Sequence, residues 1–146
     1  MALAGTAADQ ASKFLVFHLL GIDGSRDLVP GILSFTCRQN TGTAFGLCQE
    51  RNWLFIVLTL VALAAVGYYL KRFTRPEDRL ATWGAALVAA GALGNLIDRI
   101  AFGWVRDFID FHIWPVFNVA DVLICAGAAA LALSSLRKPE KDHEEA

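Results

Sequence analysis

GNLIDRIAFGWVRDFIDFHIWPVFNVAD, residues 94–121, decides how the chain is read. It sets Asn95, Asp98, Arg99, Asp107, Asn118 and Asp121 in or beside segments apolar enough to lie in a lipid bilayer. An ionisable group at the centre of a bilayer helix costs roughly 2.5–3.5 kcal/mol on insertion scales, so each needs a partner, a wet cavity or a task. Asn95, Asp98 and Arg99 stand at i, i+3 and i+4, and Asn118 and Asp121 at i and i+3, one helix face in each case. Asp107 and Asp121 are the pair singled out for chemistry. One straight helix would hold them about 21 Å apart, at 1.5 Å rise per residue. They meet only if the chain turns between them, and Gly103 and Pro115 are the residues that permit a break.

The surroundings agree with a membrane setting. The 146 residues suffice for one domain, 55% of them are hydrophobic and 18% charged. With a mean hydropathy of +0.46 and apolar residues in long blocks, the chain is too apolar for a soluble domain. It has no basic stripe of the kind that binds nucleic acid. Cys37, Cys48 and Cys125 lack zinc spacing. Cys125 reads as a packing residue inside an apolar helix, and Cys37 and Cys48 form a disulfide only if their loop faces an oxidising compartment. His112 beside Asp107 and Asp110 lacks a helical two-His motif, so no metal site is expected, and Asp110 reads as a solvated loop carboxylate.

Four spans are expected, at about residues 1–20, 53–70, 81–102 and 116–136, in a single membrane domain covering 1–146. Residues 53–70 are the clearest, 18 residues without a charge, with Trp53 at one end and Tyr68 and Tyr69 near the other. The first is the weakest: Asp9, Gln10 and Lys13 interrupt it, although Asp9 and Lys13 at i and i+4 can pair. Only eight residues precede Asp9, about 12 Å of helix against a roughly 30 Å core, so the span is short and tilted or begins upstream. No basic region leads it, unlike a cleavable signal peptide. Lys71, Arg72, Arg75 and Arg79 in the 71–80 loop, and the charged tail 137–146, place that side in the cytoplasm. Loops 21–51 and 103–115 then face outward. The first holds turn residues Gly21, Gly24, Pro30 and Gly31, a short strand near 32–37, and a tight segment at Asn40–Gly46. Gly84, Gly91 and Gly94 allow close helix contact.

This topology brings polar groups of four segments to one membrane depth. Two carboxylates in a low-dielectric site do not both ionise easily; they share a proton near neutral pH. One can then take a proton from water while the other donates to a carbonyl oxygen, which is aspartic peptidase chemistry. Asn40, Asn95, Arg99 and Asn118 can hold a substrate backbone, while Asp98 beside Arg99 reads as a structural ion pair. Two rivals remain open: a proton-coupled transporter using Asp98 and Asp121, which would want a polar line through the membrane, and a non-catalytic assembly subunit. The inner halves of spans 53–70 and 116–136 are apolar and argue against the transporter.

The blocks DQASK (Asp9–Lys13), NTGTAFG (Asn40–Gly46), GNLIDR (Gly94–Arg99), VRDF (Val105–Phe108) and FNVAD (Phe117–Asp121) resemble, in order, those of the bacterial lipoprotein signal peptidases, or signal peptidase II family. The resemblance implies an all-α membrane protein of four transmembrane helices with a small β-cradle in the outer loop. It implies an intramembrane aspartic endopeptidase that needs no cofactor. Its substrate would be a diacylglyceryl-modified prolipoprotein, cut just before the lipid-bearing cysteine. The dyad would be Asp107 and Asp121, the substrate-binding residues Asn40, Asn95, Arg99 and Asn118, and the supporting residues Asp98, Asp9, Lys13 and Gly42. Membrane lipid and a globomycin-type inhibitor would be its other partners, and it would act as a monomer in the bacterial inner membrane, with both termini cytoplasmic and the site near the outer face.

Overall fold

The computed structural model describes residues 1–42, 52–74 and 77–137. Helix α1 (Ala2–Leu20) leads into strands β1 (Ser25–Val29) and β2 (Leu33–Asn40). Helices α2 (Asn52–Phe73) and α3 (Arg79–Phe102), strand β3 (Val105–Asp110) and helix α4 (Val119–Leu136) follow. Among the described residues three helical stretches are long and apolar enough to cross a membrane: Asn52–Arg72, Arg79–Phe102 and Val119–Leu136. The expected first span, α1, is a helix of 19 residues that carries Asp9 and Lys13 mid-length and is not one of the three.

Helix α3 is the centre, packed against α1, α2 and α4. It begins where Asp78 accepts a hydrogen bond from the Ala81 amide (3.0 Å) and ends at Gly103, whose φ of +82° returns the amide to the Arg99 carbonyl. The α3–α4 seam is made by small residues. A Cβ on Gly127 would stand 2.5 Å from the Gly84 carbonyl oxygen and 2.7 Å from the Val88 amide nitrogen. Both obstacles are backbone, so the helices themselves must part. Gly127→Ala is expected to lower stability by about 1–3 kcal/mol, read as a lower unfolding temperature in detergent. Ala120, Gly127 and Ser134, seven apart, are the buried stripe of α4. Cys125 lies two residues off that stripe and is exposed, not packed inside as its sequence setting suggests.

The sheet caps the end of the bundle where α1 and α3 finish and α4 starts. Its order is β1-β2-β3, antiparallel throughout, with Arg38 opposite Asp107 and Asn40 opposite Val105. Strand β2 matches the expected strand, whereas β3 comes from 103–115, read from sequence as loop. The cradle therefore draws on both connecting segments, not one. Val16, Cys37 and Phe108 form its buried core with Phe17, Leu20, Phe35, Ile109 and Val119, tying α1 and α4 to the sheet. The Cys37 thiol faces the Val16 carbonyl at 3.8 Å. Its pairing with Cys48, the 43–46 part of the NTGTAFG block and the tail beyond 137 lie outside the described residues.

Candidate active site

The turn demanded by the two aspartates is made in two steps. Gly103 ends α3 and releases the chain into β3, which carries Asp107. Phe117 then doubles back on β3: its carbonyl accepts from the Ile109 amide at 2.8 Å and its amide donates to the Ile109 carbonyl at 3.1 Å. Asn118 follows at once as the N-cap of α4. Its side chain accepts from the Asp121 amide (3.1 Å), and Asp121 accepts from the Asn118 amide (3.1 Å), a reciprocal capping box. Asp121 thus stands in the first turn of α4, bonded to the same Asn118 that bonds Asp107.

Amide side chains join the two carboxylates. Asp107 is 2% exposed and takes a bond on each oxygen, from Asn40 Nδ2 (2.7 Å) and Asn118 Nδ2 (2.6 Å). Asp121 accepts from Asn95 Nδ2 at 2.9 Å, and Asn118 Nδ2 reaches Asn95 Oδ1 at 3.2 Å. Asn118 has both side-chain donors engaged, with Asp107 and Asn95. Asn118 and Asn95 therefore bridge the two carboxylates. Burial pushes the Asp107 carboxyl up to about 7; the Asn40 and Asn118 bonds and Lys13 hold it down, and Asp121 pushes it further up.

Asn40 and Arg99 are the more open members. Asn40 Oδ1 accepts from the Gly42 amide (2.8 Å), and Gly42 has a φ of +90° with the Phe55 ring where a Cβ would stand. A side chain there would strain the backbone and displace the ring. The Arg99 guanidinium lies 5.2 Å from the centroid of that Phe55 ring. A pocket of about 230 Å³ opens on Asp107, lined by Arg38, Gln39, Asn40 and Thr41 on one side and Pro115 and Val116 on the other. The segment carrying Pro115 is moored by His112, whose Nε2 is 3.0 Å from Ser34 Oγ, itself bonded to Asp27 (2.7 Å). Asp110 ends β3 and accepts from the His112 amide (2.8 Å).

Beneath the pair lies a buried charge cluster. Asp9, Lys13 and Asp98 have no exposed surface. Lys13 is 2.8 Å from Asp9 and 3.4 Å from Asp98. Asp98 does not form an ion pair with Arg99, its neighbour in sequence; its carboxylate is taken by Lys13 and Arg106. It pairs with Arg106 of β3, accepting from Nη2 (2.7 Å), Nε (3.2 Å) and the backbone amide (2.9 Å). Gln10 bonds Asp98 (3.0 Å), the Gly94 carbonyl (2.9 Å) and Arg106 (2.7 Å). Asp9 also accepts from the Ala120 amide at 2.8 Å. Sequence reasoning missed Gln10 and Arg106. Gln10 sits within the DQASK block beside Asp9, and Arg106 within VRDF beside Asp107, which are the only signals for either.

A family model described as Signal peptidase (SPase) II matches residues 1–137. A lipoprotein signal peptidase of Geobacter metallireducens is 42% identical over 144 residues, spanning 94% of this chain and 88% of the relative. Another, from Halalkalibacterium halodurans, is 36% identical over 149 residues, spanning 99% and 95%. A solved structure described as a bacterial membrane enzyme, determined by the in meso method at 2.3 Å resolution, superposes with a TM-score of 0.84 at 29% identity, covering 99% of this chain and 90% of that one.

Proposed function

The chain belongs to the signal peptidase II family, proteases that remove signal peptides from prolipoproteins, and from that premise we propose that Asp107 and Asp121 form its catalytic dyad. The observation that carries the proposal is the shared amide network. Asn118 bonds Asp107, Asn95 bonds Asp121, and the two asparagines bond each other, around one carboxyl that holds its proton to about pH 7. A pair so arranged has a proton to give and a base to receive one.

Asp121 takes a proton from water as the oxygen attacks the scissile carbonyl carbon, and Asp107 gives its proton to the carbonyl oxygen. On collapse of the tetrahedral intermediate the C–N bond breaks, the leaving nitrogen takes the proton from Asp121, and the hydroxyl returns one to Asp107. Both carboxyls finish as they began. Asn40 and Arg99 hold the substrate backbone, and Asn95 and Asn118 hold the dyad.

The substrate is a diacylglyceryl-modified prolipoprotein, cut before the modified cysteine. Its acyl chains stay in lipid while its scissile bond needs water, and a dyad at the sheet end of apolar helices serves both. The whole chain acts as one monomeric domain in the bacterial inner membrane. There α1 serves as a fourth span whose buried charges are matched within the bundle. The termini are cytoplasmic and the sheet lies at the outer face. A globomycin-type inhibitor occupies the same site.

The test uses purified protein in detergent. Lipid-modified prolipoprotein is expected to lose its signal peptide, the unmodified precursor to remain intact, and globomycin to block cleavage. Equal cleavage of the unmodified precursor would refute the substrate assignment.

A further inference from the structure

Lys13 is fully buried and makes three short polar contacts. Two are to carboxylates, Asp9 Oδ2 at 2.8 Å and Asp98 Oδ2 at 3.4 Å, and these answer its charge. The third, 3.0 Å to Asn95 Oδ1, goes to a neutral amide and has no part in charge balance. An ammonium has three donors and no acceptor, so only an oxygen can face it there. Asn95 Oδ1 also receives Asn118 Nδ2 at 3.2 Å. With its oxygen pinned twice, the Asn95 amide has one orientation, and its Nδ2 meets Asp121 Oδ1 at 2.9 Å. A flipped amide would set oxygen against carboxylate oxygen.

We propose that Lys13 is a positioning residue for peptide-bond hydrolysis: it fixes the Asn95 amide so that Asn95 donates to Asp121 and holds that carboxylate against Asp107. The proposal rests on the dyad reading and adds a residue that touches neither substrate nor dyad. A neutral donor would serve less well. Between two carboxylates in a dry site Lys13 cannot rotate away without leaving charges unanswered. The same carboxylates bind Lys13 into the α1–α3–β3 junction: Asp9 and Gln10 face the cluster from α1, Asn95 and Asp98 from α3, and Arg106 from β3.

The experiment is Lys13→Met in the full chain, with kcat and KM measured per site titrated by globomycin. Misplacing one dyad member is expected to lower kcat at least about tenfold, with KM within about twofold because substrate-holding groups are untouched. Thr6→Val is the structural control. It removes an α1–α3 bond to the Ala90 carbonyl (3.0 Å) and should lower the unfolding temperature without changing kcat per site. If Lys13→Met does not fold, Lys13→Met combined with Asp9→Asn, which removes one buried charge of each sign, carries the test, and the same loss of kcat is expected. Parent-level kcat in either protein, while Asp107→Asn is inactive, would overturn this inference and leave the dyad standing. An active Asp107→Asn would instead overturn the dyad.

Discussion

Asp107→Asn is expected to slow signal-peptide removal by roughly 10²–10⁴-fold, the range for losing a positioned general acid or base, while the protein still folds and inserts. Asn copies the shape of the carboxyl and keeps an oxygen for the Asn40 or Asn118 amide, each now within 2.7 Å. It cannot give and recover a proton. Asp121→Asn is expected to fall in the same range, because in the proposed mechanism the two carboxyls act on one water and one carbonyl in a single step. Initial rates on lipid-modified prolipoprotein, with folding checked by gel filtration and inhibitor binding, measure both. More than a tenth of parent activity in either folded variant would refute its assignment. A non-catalytic assembly subunit predicts the opposite, with stability changed and no reaction to lose.

Asp98→Asn is expected to destabilise the fold by about 3–5 kcal/mol, the cost of breaking a buried charge pair from one side. Asp98 accepts from Arg106 at three nitrogens, from Gln10, and faces Lys13. Neutralised, it leaves two cations with Asp9 as their carboxylate, and an amide NH₂ turned toward donors. Because Arg106 immediately precedes Asp107, the damage should reach the site as well as the fold. Unfolding in detergent, with Asp23→Asn as surface control, measures it. The Asp23–Arg38 pair is largely solvent-exposed, so that control should move by no more than about 0.5 kcal/mol. A change below about 1 kcal/mol in Asp98→Asn would show that the cluster is not what holds α1, α3 and β3 together.

The legible parts of the sequence were those whose partners lie at fixed helical spacing. Asp9 and Lys13 read as an i, i+4 pair and are one. Asn118 and Asp121 read as one face and prove to be a capping box, a pattern the spacing N-x-x-D already carries. Gly103 read as a break and is the left-handed end of α3. What failed was pairing across elements. Asp98 looked to Arg99 because the two adjoin, but its partner lies across the turn on β3, and nothing local in sequence points there. Strand β3 was hidden because VRDFID lacks simple alternation: its first four residues are all buried, covered by α1 and α3 as well as by β2. Asn95 and Asn118 looked like groups waiting for a substrate, and only their geometry reveals that their donors are directed at the aspartates. The charges of α1 looked like interruptions of an apolar run, and Asp9 and Lys13 meet each other and Asp98 inside the bundle.

The pH dependence of kcat/KM tests the dyad most directly, since it reports the free protein's essential groups. In the proposed mechanism Asp107 must hold its proton to act, and burial carries its carboxyl to about 7. Activity should therefore fall about tenfold per pH unit between pH 8 and 9, above the point where that proton is lost. A profile that stays flat from pH 6 to pH 9, in protein that remains folded throughout, would contradict Asp107 as the proton-bearing half of the pair.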